Sequence, residues 1–479
     1  DGVADMICAT ENYWTICYNG NSYGTADTLW KFNTCFGTNN TGSVDWEDAM
    51  QIMDDLNGDG IKEVVIGCGG GNEEVYVLSG GTGRVIWEYA GPNTNYDGDI
   101  MGLRIDRDFN GDGRKDILIS ASGEGSTNPG RHSAICLNAL NGQVLWTNIV
   151  NSEFTYDVVT TTIGGAIAFT NNGGPYGIIG LNSTGGNAWN YPIPGTLNAV
   201  WSMREVADIN SDGNSDIVSL YGFNGTVVAL SGSSGSQVWT VNMGSSNNGT
   251  VELLDDLDLN GFKDVTCSGP QTAFRIDSKT GQQMWTQSFG ASYIRDAGIL
   301  GDITSDTVAE VLYSTQAPGK VFVLNGKTGS ILFSYEFGSS LTYRADRVAA
   351  LNSVDGNQWN EFVSVCRDGR IKCFNGGPGE VIGITNLNTN IPEKFALYQN
   401  YPNPFNPETN IKFEVPRTAN IKIAVYDMLG REVDILVNGK MDAGTYNASW
   451  NAMPYSSGVY FYRFTADDFI SVKKMILIK

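Results

Sequence analysis

The chain has 479 residues, 59 of them glycine and 14 proline, with 41% hydrophobic residues and only 17% charged ones. That length exceeds one small core, and the apolar content excludes a disordered chain, so several domains or one large repeat architecture are expected. The net charge of −22 excludes nucleic acid and an anionic membrane surface as partners, because both require an excess of Lys and Arg.

The charge is unevenly placed. Residues 391–479 hold ten Lys/Arg and nine Asp/Glu, a net of +1, so the first 390 residues carry −23. This divides the chain into an acidic body, 1–390, and a neutral tail, 391–479. No apolar run approaches the roughly 20 residues of a membrane helix, so direct membrane insertion is not expected. The chain opens on Asp1 with no leader-like stretch and reads as a mature, already cleaved product. All eight cysteines precede Phe374, and none forms a CxxC or CxxCH, which leaves zinc ribbons and c-type haem unsupported. In an exported chain some would form disulfides, with Cys8, Cys17 and Cys35 the nearest candidates. Cys136 and Cys267 read equally well as buried thiols.

In chain order, the first informative element is "TLWKFN", Thr28–Asn33, a lone outer strand bearing Trp30. Next comes "DDLNGDGIKEVV", Asp54–Val65, an acidic, Gly-containing loop running into an apolar strand. The pattern recurs as "DFNGDGRKD" (Asp108–Asp116), "DINSDGNSD" (Asp208–Asp216), "DLDLNGFKD" (Asp256–Asp264) and "DITSDTVAE" (Asp302–Glu310). A worn copy, "SVDGNQWNE", spans Ser353–Glu361. A second motif follows each loop: strand, Gly-containing turn, strand, with Trp87, Trp146, Trp189, Trp239 and Trp285 at one position. Phe333 and Gly383 stand there in the last two copies. Gly-rich turns between short alternating runs specify an all-β chain. The spacing between copies is that of four-stranded propeller blades.

Seven copies of the second motif predict a seven-bladed β-propeller. Thr28–Asn33 would complete the last blade and so close the ring without open edges. Eight blades, with residues 1–50 forming a further one, is the alternative. The stretch 151–175 has no acidic loop, so one blade lacks it.

In each loop, oxygen-bearing side chains stand at positions 1, 3, 5 and 9. The candidate ligands are Asp55, Asn57, Asp59 and Glu63; Asp108, Asn110, Asp112 and Asp116; Asp208, Asn210, Asp212 and Asp216; and Asp256, Asp258, Asn260 and Asp264. Asp302, Asp306 and Glu310 make a poorer set, because Thr304 and Thr307 replace the usual Asn and Gly. Ser353, Asp355, Asn357 and Glu361 are poorer again. Alternate positions in a tight loop point to one centre, and position 7 can add a backbone carbonyl. Hard oxygen donors without His or Cys suit Ca²⁺ over zinc, and Mg²⁺ prefers to keep its waters. A single loop would read as an Asp/Asn-rich turn, but phased repetition selects structural Ca²⁺, at about four to six sites. The six loops hold 17 Asp/Glu, whose mutual repulsion bound metal would relieve.

These loops resemble the calcium-binding repeats of integrin-type propellers, the FG-GAP class. The strand–turn–strand–Trp units are similar to blades of pyrroloquinoline-quinone-like propellers. The resemblance covers about residues 45–390 and implies loops on one face of a disc, between the first and second strands of each blade. It carries no quinone chemistry, since the vicinal Cys–Cys pair of such dehydrogenases is absent.

The tail begins at "YPNPFNP", Tyr401–Pro407, and continues through "YDMLGRE" (Tyr426–Glu432), "GTYNASW" (Gly444–Trp450), "GVYFYRF" (Gly458–Phe464) and a basic end, Lys473–Lys479. Some seven short strands predict a small Ig-like β-sandwich. The ordered motifs resemble the C-terminal sorting domain of the type IX secretion system of Bacteroidetes. That resemblance implies export to the outer cell surface of a Gram-negative bacterium or beyond it, with the secretion machinery as partner of residues 391–479.

Enzyme chemistry finds little support. His132 is the single histidine and reads as ordinary surface; no nucleophile motif accompanies it. Nearly every clustered acid belongs to a repeated loop, which argues against a unique glycosidase pair. The Trp series reads as core packing before a sugar platform. The expected function is that of a non-catalytic, calcium-binding, secreted structural or adhesive subunit. It would self-assemble through its retained tail or contact other cell-surface proteins and glycans. The alternatives are a polysaccharide- or protein-binding module and, behind it, a secreted hydrolase.

Overall fold

The structure is a computed structural model. It describes residues 5–478 except 10–12, 21–27, 35–41, 44–48, 71–72, 91–97, 123–131, 151, 153, 171–175, 195–198, 223–224, 245–248, 291–292, 305, 353–358, 375, 377–384, 389–393, 418, 442–443, 453–454 and 467–468. Within these residues it is all-β apart from one short 3₁₀ turn at Leu341–Tyr343.

Among the described residues, eight antiparallel sheets of three or four strands precede the tail, each a simple meander in chain order, beside a two-stranded pairing of Gly42–Ser43 with Gly69–Gly70. Sheet 1 is Met6–Ala9, Trp14–Tyr18 and Thr28–Asn33. Sheet 2 is Met50–Met53, Glu63–Gly67, Val75–Leu78 and Val85–Tyr89. Sheet 3 is Asp99–Arg107, Asp116–Ser122, Ser133–Leu137 and Val144–Ile149; sheet 4 is Phe154–Thr161, Gly164–Thr170, Tyr176–Asn182 and Asn187–Ile193. Sheet 5 is Val200–Val206, Asp216–Tyr221, Thr226–Leu230 and Gln237–Asn242; sheet 6 is Val251–Leu253, Val265–Ser268, Thr272–Ile276 and Gln283–Ser288. Sheet 7 is Ile294–Gly301, Glu310–Thr315, Gly319–Leu324 and Ile331–Gly338; sheet 8 is Ala345–Leu351, Glu361–Cys366 and Ile371–Phe374.

Burial explains the residue choice in each strand. Second and third strands such as Asp116–Ser122, Ser133–Leu137 and Thr226–Leu230 are buried along their whole length. Each is covered on both faces by neighbouring sheets, so its sequence is continuously apolar or small. Fourth strands such as Val144–Ile149 and Gln237–Asn242 alternate between half-buried and exposed. A separate apolar core lies between each successive pair of sheets. Cys17 and Trp30 meet Val64 and Tyr76 between sheets 1 and 2; Leu118 and Ala134 meet Val158 and Ile167 between sheets 3 and 4; Leu312 and Val321 meet Phe362 and Phe374 between sheets 7 and 8. This face-to-face stacking of small meanders is a β-propeller.

First strands carry β-bulges at matching places: Ile100/Gly102, Thr155/Val158, Val200/Ser202, Ile294/Asp296 and Ala345/Arg347. A bulge withdraws a residue from the ladder. Several N–H groups near these bulges are taken by the preceding sheet. Met203 N donates to Asp157 Oδ2 (2.8 Å), Val348 N to Asp296 Oδ2 (3.0 Å) and Val251 N to Ser202 Oγ (3.3 Å).

Tryptophans on the last strand of sheets 1, 2, 4, 5 and 6 join each of these sheets to the next. Trp30 Nε1 donates to Gly80 O (2.6 Å), Trp87 to Ala139 O (2.8 Å), Trp189 to Gly232 O (2.8 Å), Trp239 to Ser278 O (2.7 Å) and Trp285 to Gly326 O (2.8 Å). Each acceptor is the second residue of the turn between the third and fourth strands of the following sheet. The same turn ends on a left-handed glycine lying flat against the indole. At Gly142, with φ +69°, an added Cβ would come within 2.6 Å of the Trp87 ring. Only glycine satisfies both demands there.

Trp146 is the exception. Its ring covers Gly185 in the same way, yet its Nε1 is buried with no hydrogen-bond partner among the described residues. The reason is turn length. The turns Ser79–Gly83, Asn138–Gly142, Ser231–Gly235, Asp277–Gly281 and Asn325–Gly329 close by a bond from the glycine N–H to the first residue's carbonyl; Asn182–Gly185 closes one residue sooner. The missing residue takes the acceptor carbonyl with it. Sheet 4 also has no acidic loop, its first two strands being joined by the two residues Thr162 and Ile163. In sheet 7 Phe333 replaces Trp and packs edge-on against Phe362 (6.0 Å) and Phe374 (5.6 Å).

Four expectations change. Thr28–Asn33 pairs with Trp14–Tyr18 in sheet 1 and does not complete the last sheet, so residues 1–50 supply a sheet of their own. Cys8 faces Ile16 and Cys17 faces Ile7 across the first hairpin, so the two thiols project from opposite faces and are not bonded to each other. Cys35 lies outside the described residues, as does Gly383. His132 is buried, its ring edge-on to Phe154 at 6.5 Å, and is not a surface residue. Finally, Thr385–Asn388, ahead of the boundary expected at 391, pairs with Gly444–Asn451 of the tail.

The tail forms two four-stranded sheets. One orders Thr385–Asn388, Gly444–Asn451, Glu408–Val415 and Ala396–Leu397; the other orders Glu432–Met441, Ala419–Tyr426, Gly458–Ala466 and Phe469–Leu477. They enclose one core of Phe413, Ile423, Trp450, Tyr462, Phe464 and Met475. Phe405 of the YPNPFNP stretch is buried in it, and Phe405 N and Ile478 N each donate to the other strand's backbone (3.0 Å for both).

The two kinds of tryptophan should behave differently on losing the indole N–H. Trp87→Phe removes a made hydrogen bond and strands the Ala139 carbonyl, so it should cost about 1–2 kcal/mol. Trp146→Phe removes an unmet donor and should cost less or stabilise; paired thermal melts of the two variants check this ordering.

Candidate functional site

The acidic loops lie between the first and second strands of sheets 2, 3, 5, 6 and 7. Their shape follows from side-chain-to-backbone hydrogen bonds repeated almost atom for atom. The position-1 carboxylate accepts two N–H groups from the far side of the turn. Asp55 takes Gly58 (2.7 Å) and Gly60 (2.8 Å); Asp108 takes Gly111 (2.7 Å) and Gly113 (2.8 Å); Asp208 takes Asp212 (3.0 Å) and Gly213 (2.7 Å). Asp256 takes Asn260 (3.1 Å) and Gly261 (2.7 Å), and Asp302 takes Asp306 (3.2 Å) and Thr307 (2.8 Å). Positions 3 and 5 each accept the N–H two residues on, as Asx turns do. Examples are Asn57 from Asp59 (2.8 Å), Asp258 from Asn260 (3.2 Å), Asp112 from Arg114 (2.9 Å) and Asp306 from Val308 (3.0 Å).

Two positions need left-handed backbone. Position 6 was legible as Gly60, Gly113, Gly213 and Gly261. Position 4 is left-handed as well, at Gly58 and Gly111 but also at Ser211 (φ 66°) and Leu259 (φ 59°). Non-glycine residues there, and Thr307 at position 6 (φ 72°), hold strained backbone. The sequence signal for position 4 existed only in the two N-G-D-G copies.

Position 9 opens the second strand and is fully buried in Glu63, Asp116, Asp216, Asp264 and Glu310. One oxygen gathers the N–H groups at positions 2 and 3: Asp116 Oδ2 accepts Phe109 (2.9 Å) and Asn110 (3.2 Å), and Asp216 Oδ2 accepts Ile209 (2.9 Å) and Asn210 (3.2 Å). The other reaches the turn of its own sheet. Gly80 N donates to Glu63 Oε2 (3.1 Å), Ala139 N to Asp116 Oδ1 (3.2 Å) and Gly232 N to Asp216 Oδ1 (3.1 Å). These three residues are the ones whose carbonyls receive the preceding sheet's indole.

The electrostatics divide by burial. Backbone N–H donors, Gly60 and Gly113 foremost, hold the exposed Asp55 and Asp108 carboxyls below the usual range. The Ser233 hydroxyl brings Asp212 down to about 2. Burial pushes Asp116, Asp216, Asp264 and Glu310 up, in each case as the largest influence. A cation beside these four groups would reverse that push.

The donor set fits a hard cation unevenly. Carboxylate oxygens of Asp302, Asp306 and Glu310 lie within 4.8 Å of one another, although this loop looked poorer in sequence. Asp264 Oδ1 is buried with no hydrogen-bond partner among the described residues. In the second and third loops the position-3 amide takes up part of the position-9 carboxylate: Asn110 Nδ2 on Asp116 Oδ1 (3.2 Å) and Asn210 Nδ2 on Asp216 Oδ1 (3.0 Å). All 19 candidate ligands lie in or at the ends of these five loops. Of the worn copy's candidate ligands only Glu361 is described; Ser353, Asp355 and Asn357 lie outside the described residues.

The fourth loop differs from its neighbours. Asp264 Oδ2 accepts Leu257 N (3.0 Å) and both Nε (3.1 Å) and Nη2 (2.9 Å) of Arg275, whose side chain is fully buried. Burial pulls this guanidinium down while Asp264 pushes it back up. The sequence reading passed over Arg275, since it stands in a strand and outside the loop motif.

Comparison with known proteins addresses the two parts separately. Residues 399–479 match the family described as secretion system C-terminal sorting domain. This tail marks the chain for export to the cell surface or the extracellular space. Residues 71–262 match the family described as outer membrane protein assembly factor BamB. Among curated proteins, protein FAM234B of Gallus gallus is 29% identical over 172 residues, covering 30% of this chain and 27% of that protein. The chain therefore spans about a quarter of that relative's length. Among solved structures, Sqt1 of Saccharomyces cerevisiae aligns over 78% of this chain and 94% of its own, with 11% identity and a TM-score of 0.49. PorZ, an essential bacterial surface component of the type IX secretion system of Porphyromonas gingivalis, aligns over 100% of this chain and 58% of its own, with 12% identity and a TM-score of 0.43. Among the described residues no helix is long and apolar enough to cross a membrane.

The position-9 carboxylate is expected to be the most sensitive loop residue. Asp216→Ala strands the N–H groups of Ile209, Asn210 and Gly232 and should cost about 3 kcal/mol or more. Asp212→Ala, at the exposed rim, should cost under about 1 kcal/mol; chemical denaturation of both variants checks the contrast.

Proposed function

We propose that the protein is a secreted, non-catalytic structural or adhesive subunit of the cell surface whose propeller is stabilised by Ca²⁺ in its acidic loops. The observation that carries this reading is repetition. Five loops place the same oxygen-rich side chains at equivalent points of five sheets, and each position-9 carboxylate sits at the root of a sheet. Catalysis needs a unique constellation, while a repeated one serves the scaffold. Asp302, Asp306 and Glu310 would hold an ion through converging carboxylates. Asp55, Asn57 and Asp59, with their counterparts, would do so at the rims of the other loops. A bound ion would supply charge neutralisation and no reaction step.

Surface assembly draws support from the sheet edges. Leu29, Val85, Val144, Ile149, Ile331 and Leu332 are between 40% and 66% exposed on outer strands. Such edges are a template for lateral contact between copies.

Two measurements test the proposal. Chelation with EDTA should lower the melting temperature by several degrees, and excess Ca²⁺ should restore it; an unchanged melt removes the metal from the account. Negative-stain microscopy of the exported protein should show laterally associated particles, and a field of isolated discs at high protein concentration would count against assembly.

A further inference from the structure

We propose that Arg275 is the resident cation of the fourth acidic loop, occupying the charge-balancing role that a divalent ion fills in the others, so that this loop keeps its fold without metal. The inference rests on the calcium reading above and narrows it.

The residue six before the turn glycine (Gly83, Gly142, Gly235, Gly329) is Val77, Cys136, Ala229 or Val323, a small or apolar core residue in every case. Before Gly281 it is Arg275. A fully buried guanidinium is costly to desolvate and persists only where its donors are met and its charge is countered. Both conditions hold. Nε and Nη2 engage Asp264 Oδ2, Nη2 also reaches Asp255 O (2.5 Å), and Nη1 reaches Gly326 O (2.6 Å). Asp255 immediately precedes the loop, and Gly326 belongs to the turn of sheet 7. One side chain therefore ties the loop's entry, the loop's buried acid and the next sheet.

The contacts that Arg275 replaces are informative. In the first three loops, position 9 uses its second oxygen to accept the turn N–H of Gly80, Ala139 or Gly232. No corresponding bond from Ser278 N to Asp264 occurs among the described residues. Nor can position 3 lend an amide, because it is Asp258 where the second and third loops have Asn110 and Asn210. The fourth loop thus keeps Leu257 N as a neutral donor, lacks the turn N–H and side-chain amide that serve the second and third loops, and has gained a permanent positive charge. A divalent ion entering there would meet that charge within the same carboxylate's reach, which opposes binding.

Hydrogen–deuterium exchange of the full chain, followed by mass spectrometry in Ca²⁺ and in EDTA, tests this. Amides of 55–63, 108–116 and 208–216 should exchange about tenfold faster or more in EDTA, while those of 256–264 keep their rate. Arg275→Met should make 256–264 EDTA-sensitive like the rest. If wild-type 256–264 loses protection in EDTA along with the other loops, Arg275 is no substitute and the inference fails, with the calcium reading intact. If no loop responds to EDTA, both fall together. The wild-type comparison decides the matter even where Arg275→Met does not fold.

Discussion

The propeller depends on one turn residue in each of sheets 2, 3 and 5 whose backbone N–H and C=O are both used, in opposite directions. Gly80, Ala139 and Gly232 each donate their N–H to the buried carboxylate that ends their own sheet's acidic loop. Each also accepts, at the carbonyl, the indole N–H of the preceding sheet's tryptophan. Loop, sheet and neighbour are thereby fixed through a single backbone position. A residue whose N–H and C=O are both bonded to structure on either side is held in place, since moving it breaks two hydrogen bonds.

This junction explains why loop and tryptophan motifs travel together along the chain. The carboxylate positions the turn, and the turn presents the carbonyl and the flat glycine face that the indole needs. The coupling is not strict, since Trp239 Nε1 still donates to Ser278 O although Asp264 Oδ1 takes no N–H from that turn. Sheet 4 lacks the acid, has the shorter turn and leaves Trp146 Nε1 unmet. In sheet 6 the acid is held by Arg275, which donates to the same Gly326 carbonyl as Trp285. The two departures differ in origin: sheet 4 has a shorter turn and no buried carboxylate, while in sheet 6 the carboxylate has changed its partner.

Much of this could be read from residues alone, for a physical reason. Loop spacing, the Trp–Gly pairing and strand alternation are local patterns, and local patterns survive in a sequence. The tail was legible because its aromatic and glycine positions are ordered over the whole module. Partners distant along the chain left no such trace. Thr28–Asn33 resembles a detached outer strand because the two strands that complete its sheet, Met6–Ala9 and Trp14–Tyr18, carry weak alternation and two cysteines. Arg275 reads as an ordinary strand residue until Asp264 is placed beside it. The left-handed backbone at Ser211 and Leu259 is invisible because glycine, its usual marker, is absent.

The odd seam between sheets 3 and 4 has a further consequence. It lacks the shared junction and is held by the buried Arg104–Asp157 pair, Arg107 Nη1 on Thr161 O, Ser120 Oγ on Tyr156 O and Thr155 Oγ1 on Ala121 O. An array of interchangeable units can dock out of phase, one unit early or late, at little cost in contacts. A seam whose two faces fit only each other removes that degeneracy. Sheet 4 thus serves as the index mark of the array, deciding which sheet follows which.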